Sequence, residues 1–423
     1  MTTGLLALII ALAILLQLLL ALTIGVWRKR NSLGSGVETP AATAVTNHFS
    51  QVEKNEAVES GWQGFVPFRV IRRVGENVTG DICSFFLQPC EPIHLPDFLP
   101  GQYLTLKFEL PVGGENGLRT VTRCYSLSDR PRRDYYRISV KRATTPAAHP
   151  EAPTGVVSNY LHDRIEVGDQ LMIKAPSGSF HLLDEPALPL VLIAGGIGIT
   201  PMLSIINTLL EQGSKRETWL FYGVGNGREV IMHGLLQRLE QTLPHFHLHL
   251  CYSRPDPRDR IGTDYQHRGH VDMALLQDVL KLGRYHYYIC GPSAMMESMV
   301  PGLQALGVPS SDIRYEAFGP ASPAKAVVNE RKRSISDDES LEVSFSKSKH
   351  SARWSNGHDS LLNFIEAEGI AVDSACRSGS CGSCRTKIES GEVAYHQELE
   401  VEVETGHCLL CVSRPASNLK LAL

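Results

Sequence analysis

The sequence predicts a multidomain chain: an N-terminal transmembrane helix, an antiparallel β-barrel, an α/β domain with a parallel sheet, and a small C-terminal domain wrapped around a cysteine loop. Three observations predict it. Leu5 to Trp27 is a run of 23 uncharged residues. Short β-branched and aromatic runs give way near residue 186 to apolar strands alternating with stretches of helical periodicity. Five of the ten cysteines fall between Cys376 and Cys411, three of them in C-x₄-C-x₂-C spacing.

At 423 residues the length suits about three domains. Hydrophobic content of 43% and charged content of 20% are those of globular protein. A formal net charge of −4 leaves no electrostatic footprint for nucleic acid.

Residues 1–27 are expected to anchor the chain, because 23 helical residues cross a hydrocarbon core of ~30 Å. No basic residue precedes the apolar run and no small-x-small site follows it, which speaks against a cleaved signal peptide. Arg28-Lys29-Arg30 comes next. The positive-inside rule then implies a single-pass protein of the inner membrane with everything after Trp27 in the cytoplasm. Residues 28–62, rich in Gly, Ser, Thr, Ala and Glu, read as a linker.

Residues 63–185 read as a β-barrel, with strands expected at 68–71, 82–87, 103–108, 135–141 and 170–174, divided by turns such as Pro100-Gly101 and Val167-Gly168-Asp169. Arg123-Cys124-Tyr125-Ser126-Leu127-Ser128 puts a guanidinium, an aromatic ring and a hydroxyl on one strand. Together these suit a planar ligand bearing phosphate: the fork grips phosphate, the ring packs on the plane and the hydroxyl reaches the edge. Gly155 to Leu161, including Ser158, reads as a short helix whose N-terminus can hold phosphate.

Residues 186–320 begin with a buried apolar strand, Leu188 to Ala194, feeding Gly195-Gly196-Ile197-Gly198-Ile199-Thr200-Pro201 and then a helix over 202–210. Thr200 is the expected N-cap and Pro201 the first helical residue, so a pyrophosphate would meet a helix N-terminus. Pro201 stands where the third glycine of G-x-G-x-x-G would be, so the common dehydrogenase fingerprint is demoted. Further strands at 218–222, 247–252 and 285–290 alternate with helices at 232–243 and 273–282, which implies a parallel sheet with helices on both faces. Cys83, Cys90, Cys124, Cys251 and Cys290 lie scattered singly, the pattern of buried free thiols.

Residues 321–340 form a second polar linker, and 341–423 the last domain, with a strand at 341–346 and a helix at 360–368. The spacing of Cys376, Cys381 and Cys384, with Cys411 as a plausible fourth thiolate, is the plant-type [2Fe–2S] arrangement. Gly379, Gly382 and three serines let a loop close on a cluster. A disulfide framework suits neither a reducing compartment nor the uneven clustering. Zinc sites usually pair two spacings of two. Cys408 is read as a bystander. Glu398 to Glu404 places four acids at alternate positions, a solvated edge or a docking face for a basic partner.

Pro100 to Tyr103, Arg123 to Ser128, Tyr135 to Lys141 and Gly155 to His162 resemble the flavin domain of the ferredoxin–NADP reductase superfamily, most of all the reductase half of the flavohemoglobins. Gly195 to Pro201, Cys290-Gly291-Pro292 and Glu316-Ala317-Phe318-Gly319-Pro320 resemble its nicotinamide domain. The C-terminal order of strand, helix, cluster loop and late cysteine resembles a plant-type ferredoxin and implies a β-grasp fold. The resemblance implies that Arg123, Tyr125 and Ser126 bind flavin, with Tyr103 nearby and Gly155 and Ser158 at its phosphates. It further implies that Gly195 to Thr200 bind the nicotinamide nucleotide, that Cys290 lies beside the nicotinamide, and that Glu316, Phe318 and Gly319 return over the flavin. The proline-rich loop Ala143 to Thr154 departs from the family at the distal part of the flavin.

The expected cofactors are FAD, with FMN as the alternative, NADH or NADPH, and a [2Fe–2S] cluster. Arg228 and Arg254 could meet a 2′-phosphate, whereas the flavohemoglobin-like pattern implies NADH. The implied activity is an NAD(P)H-dependent relay, with Ser126 where hydride arrives and a protein acceptor at the end: an oxygenase, hydroxylase or desaturase. A ferric or quinone reductase and a non-catalytic redox sensor are the alternatives. Nitric oxide detoxification is disfavoured because no globin precedes the barrel.

Overall fold

The computed structural model describes Trp62 and residues 64–111, 118–145, 154–318, 341–354, 358, 360–370, 372, 374–377, 379, 381–396, 399, 401 and 403–423. The expected helix at 5–27, both linkers apart from Trp62, the middle of the proline-rich loop, Gly319 and much of the acidic stretch lie outside these residues. Among the described residues no helix is long and apolar enough to cross a membrane.

The period-two runs fold into β1 (Val66–Gly75), β2 (Ile82–Pro89), β3 (Tyr103–Pro111), β4 (Leu118–Ser126) and β5 (Tyr136–Lys141), followed by α1 (Val156–Arg164) and β6 (Gln170–Ile173). The strand order is β4-β3-β6-β1-β2-β5. A bridge between Leu127 and Ile138, with Ser128 N donating to Arg137 O at 2.8 Å, brings the two edge strands together. The barrel therefore closes at the Arg123–Ser128 motif. Phe68, Phe85, Leu87, Leu104 and Ile138 fill its interior, each contributing roughly 1.5–3 kcal/mol by burial.

The next domain contains β7 (Leu190–Gly195), α2 (Ile199–Glu211), β8 (Thr218–Val224), α3 (His233–Thr242), β9 (Phe246–Tyr252), β10 (His267–Arg268), α4 (Met273–Val279), β11 (His286–Gly291), α5 (Ser293–Ala305) and β12 (Ile313–Ala317). All neighbours in the order β10-β9-β8-β7-β11-β12 are parallel. Alternate residues of β7 enter separate cores, Leu190 and Leu192 with α2 and α3, Val191 and Ile193 with α4 and α5. The direction of winding reverses between β7 and β11, and in such sheets the ligand crevice opens at that switch point.

The last domain comprises β13 (Glu342–Phe345), β14 (His350–Arg353), α6 (Leu361–Ala367), β15 (Arg385–Ser390), β16 (Val393–Tyr395), β17 (His407–Leu409), β18 (Ser413–Pro415) and β19 (Leu419–Leu421). Its main sheet runs β14-β13-β19-β15-β17 with β13 and β19 parallel. Leu361, Phe364 and Ile365 of α6 pack on Val343, Phe345 and Leu421 of that sheet. Ser360 caps α6, its side chain accepting from Asn363 N at 3.3 Å. This is the expected helix-across-mixed-sheet arrangement.

Candidate redox site

The cysteine loop leaves α6 and returns to β15, and its sulfurs collect the loop's own N–H groups. Cys381 N donates to Cys376 Sγ at 3.3 Å, Cys376 N to Cys381 Sγ at 3.4 Å and Ser383 N to Cys381 Sγ at 3.5 Å. Gly379 at φ 80° and Gly382 at φ 71° take the left-handed turns this wrapping needs. Arg377 does so as well, at φ 55°, a conformation that costs a non-glycine residue about 1–2 kcal/mol. Its guanidinium offsets that strain by holding α6, donating to Asn363 Oδ1 at 3.3 Å and to Glu366.

Cys411, on the 3₁₀ turn after β17, closes the set from the other side. Its sulfur stands 3.2 Å from Cys384 Sγ and hydrogen-bonds Cys376 as well. Contact with Cys124 and Cys376, with burial, pushes the Cys381 thiol up, and contact with Cys376 and Cys384, with burial, pushes Cys411 up. The contact with Cys411 holds Cys384 down against the effect of burial. Cys381, Cys384 and Cys411 are buried and Cys376 half-buried; thiols gathered in this way cannot all ionise without a cation among them, and a set of four soft sulfur donors fits iron. Cys408 lies on β17 in register with Thr386, fully buried, and burial pushes its thiol up to about 12. That is a packing role.

On β4, Ser126 is 5% exposed and its Oγ has no hydrogen-bond partner. A buried hydroxyl of this kind is available to a bound ligand. Tyr125 packs against the barrel core, and burial pushes its phenol well up. Tyr103 faces Ser126 in the β3–β4 register and packs against Gly178, where a Cβ would stand 2.7 Å from its ring. Arg123 is exposed, its Nη1 donating to Thr122 O at 2.7 Å and to Ser374 O, in the cluster loop, at 3.2 Å. Gly155 is the N-cap of α1, and Ser158 Oγ ties that turn to the end of β5, accepting from Ala143 N at 3.2 Å and donating to Gly155 O at 3.3 Å.

The glycine loop differs from expectation in one respect. Gly196–Gly198 form a 3₁₀ turn, so α2 starts at Ile199 with Gly198 as its N-cap. Thr200 is therefore not the cap and Pro201 not the first helical residue. The Thr200 hydroxyl instead donates back to Ile197 O at 3.0 Å. Gly198 lies against β11 so closely that a Cβ would meet Cys290 O at 2.1 Å, and one on Gly195 would meet Pro292 Cδ at 2.7 Å. The loop and Cys290-Gly291-Pro292 thus form the two walls of the switch-point crevice. Cys290 is fully buried, and burial beside the Glu316 carboxylate pushes its thiol well up, so it remains a neutral thiol. Glu316 pairs with Cys290 across β11 and β12, and Phe318 N donates to Gly291 O at 3.0 Å. The structure so brings together Gly195–Thr200, Cys290, Glu316 and Phe318 at one crevice, and Arg123 and the cysteine loop at another contact.

Of the five cysteines read as buried singletons, Cys83, Cys251 and Cys290 are buried while Cys90 and Cys124 are half-buried. The Cys124 sulfur lies 3.4 Å from the buried Thr105 hydroxyl of β3. Asp129 escaped sequence reasoning altogether. It accepts from Arg130 N, Arg132 Nε and Tyr135 OH within its own domain and from Asn207 Nδ2 of α2 at 3.1 Å, while its carbonyl takes the Ser204 hydroxyl of α2 at 2.8 Å.

Comparison with known proteins finds three family matches: an oxidoreductase FAD-binding domain over 71–182, an oxidoreductase NAD-binding domain over 192–300 and a 2Fe-2S iron-sulfur cluster binding domain over 345–416. The flavohemoprotein of Halalkalibacterium halodurans is 39% identical over 282 residues, 66% of each chain. That of Bacillus cereus is 36% identical over 292 residues, 69% of this chain and 70% of the relative. The chain thus spans about two thirds of the length of these curated relatives. Phthalate dioxygenase reductase, a solved modular structure for electron transfer from pyridine nucleotides to [2Fe–2S], shares 28% identity at a TM-score of 0.50, covering 85% of this chain and 98% of that one.

The chain belongs to the ferredoxin–NADP reductase family. As a member it is an oxidoreductase of the electron-transfer type, with FAD, nicotinamide-nucleotide and [2Fe–2S] domains on one chain. Of the two flavins left open by the sequence, FAD is the one the family match names.

Proposed function

We propose that this chain is a membrane-anchored reductase that passes electrons from NAD(P)H through FAD to its [2Fe–2S] cluster and on to a protein acceptor, an oxygenase, hydroxylase or desaturase. The observation that carries the reading is the contact of β4 with the cluster loop, Arg123 Nη1 to Ser374 O at 3.2 Å. The strand with the flavin motif is also the strand that touches the iron site. When bound, the nicotinamide supplies a hydride, the flavin converts two-electron to one-electron chemistry and the cluster carries single electrons.

The chain's own residues divide the work. Ser126 offers a buried hydroxyl to the flavin edge, Tyr125 a ring for its plane with Tyr103 alongside, Arg123 a cation for its phosphate, and Gly155 and Ser158 the α1 terminus. The close-packed Gly195 to Thr200 loop lets a pyrophosphate approach backbone N–H groups. Cys290 borders the nicotinamide as a neutral thiol, and Glu316, Phe318 and Gly319 border the flavin. Cys376, Cys381, Cys384 and Cys411 hold the iron.

The apolar run at 5–27 followed by Arg28-Lys29-Arg30 supports a single-pass anchor in the inner membrane with the catalytic domains on the cytoplasmic side. Tethering enzyme and acceptor to one surface raises their effective concentration. The acceptor class rests on the likeness to phthalate dioxygenase reductase.

The test compares wild type with Cys384→Ser, following NADH oxidation with ferricyanide, which drains the flavin, and with cytochrome c, a one-electron protein acceptor. The variant should keep the ferricyanide rate and lose most cytochrome c reduction. Equal cytochrome c rates would mean that electrons leave without passing the cluster. The anchor is tested by fractionation: the full chain should sediment with membranes and a version lacking residues 1–30 should not.

A further inference from the structure

We propose that Asp129 is a positioning residue for hydride transfer: it clamps the end of the flavin-motif strand to one face of α2 and so fixes where the glycine loop at the head of that helix stands relative to Ser126. The inference rests on the reading that the flavin lies along Arg123 to Ser126 and the nucleotide at Gly195 to Thr200. It deepens that reading by naming what holds the two in register.

Ser204, Asn207 and Glu211 follow one another at intervals of three and four, so they share one face of α2. All three meet the turn that follows the flavin motif. The fully buried Ser204 hydroxyl donates to Asp129 O at 2.8 Å, Asn207 Nδ2 donates to Asp129 Oδ1 at 3.1 Å, and Arg130 Nη2 lies 3.2 Å from Glu211 Oε1. The turn is tied equally well to the barrel. Arg130 N donates to Asp129 Oδ1 at 2.9 Å, Arg132 Nε and Tyr135 OH donate to Oδ2 at 3.1 and 3.2 Å, and Ser128 N donates to Arg137 O at 2.8 Å. The carboxylate thus takes four donors from two domains, which a side chain with a single acceptor oxygen could not do. Ser126 stands three residues before Asp129 on this tied segment. On the other side Ser204 stands six residues, about 9 Å, along the helix from Gly198. Hydride transfer oxidises the nicotinamide and reduces the flavin, and it needs the reacting atoms about 3–3.5 Å apart; an error of ~1 Å costs up to about 10²-fold in rate. Because Ser204 and Asn207 lie more than one turn beyond the start of α2, the clamp governs that separation and leaves nucleotide affinity to the glycine loop.

The experiment uses the full chain with its cofactors bound. Asn207→Ala, Ser204→Ala and the double variant cut the clamp on the α2 side and spare the bonds of Asp129 within the barrel. Arg132→Ala is the control, removing a bond to the same carboxylate without touching α2. Anaerobic stopped-flow, with whichever of NADH and NADPH reduces wild type, gives the limiting rate of flavin reduction and the nucleotide Kd. The charge-transfer absorbance of the oxidised nucleotide on dithionite-reduced flavin reports overlap of the two rings. The double variant should reduce its flavin about tenfold more slowly, with weaker charge-transfer absorbance and Kd within about twofold. Arg132→Ala should keep the rate and the absorbance of wild type, and Asn207→Gln, which retains an amide donor, should recover most of what Asn207→Ala loses. A double variant with the limiting rate and absorbance of wild type overturns the proposal, as does an equal loss in Arg132→Ala, the mark of a purely structural role. Should the double variant fail to fold, Asn207→Ala alone decides by the same two readings. A wild type whose flavin neither nucleotide reduces would overturn the relay and the clamp with it, a failure distinguishable because it precedes any substitution.

Discussion

Ser126 places on the flavin-motif strand a buried hydroxyl that has no hydrogen-bond partner among the described residues. Such a group costs roughly 1–3 kcal/mol in the free protein. Ser126→Ala should therefore leave the thermal stability of the flavin-free protein unchanged or slightly higher. In the loaded enzyme the same change should slow flavin reduction by NADH about 10²-fold, the effect of removing one aimed donor; stopped-flow absorbance reads it. Gly198 makes the opposite prediction, since any side chain there meets the backbone of Cys290. Gly198→Ala should displace the loop and weaken nucleotide binding at least about tenfold, or 1.4 kcal/mol, by fluorescence titration.

At the scale of elements, the barrel and the nucleotide domain are joined where α2 meets Asp129. That carboxylate has bonds on both oxygens and little water to replace them. Asp129→Ala should cost roughly 3 kcal/mol and lower the melting temperature while leaving the iron absorbance in place. The strands and helices that form cores were legible in the sequence because period two and period 3.6 survive as burial patterns, as in β2 and α2. The 2Fe-2S domain was legible because the spacing of Cys376, Cys381 and Cys384 is itself the geometry of a loop. Asp129 was not, since a single acid after a strand reveals nothing about partners as far away as Asn207. Thr200 misled for a different reason: its type suits a cap, but the 3₁₀ turn at Gly196 had already begun the helix. Arg377 was hidden likewise, because its left-handed backbone is imposed by contacts with α6.

Across the whole molecule, acid sensitivity should come from histidines. Burial holds His162, His233, His249, His267 and His286 below their usual pKa of 6.5. His249 is lowered to about 4 by burial and by His267 and His247, its ring stacked on Phe221 and its Nδ1 3.0 Å from His267 Nε2. A depressed histidine is neutral in the fold and protonates first in the unfolded chain. Its stabilisation is complete above pH 6.5 and is lost as pH falls toward 4. The melting temperature should begin to decline below pH 6.5, before the carboxylates titrate, and His249→Phe should flatten that first part of the decline.

The central claim is that one chain carries electrons from nicotinamide to iron. It is tested most directly by adding NADH, and separately NADPH, to the anaerobic full chain while following flavin bleaching and low-temperature EPR. Bleaching of the flavin together with growth of a [2Fe–2S] signal on adding one nucleotide is the predicted result. A flavin that reduces while the cluster stays silent, although dithionite brings up its signal, would contradict the account.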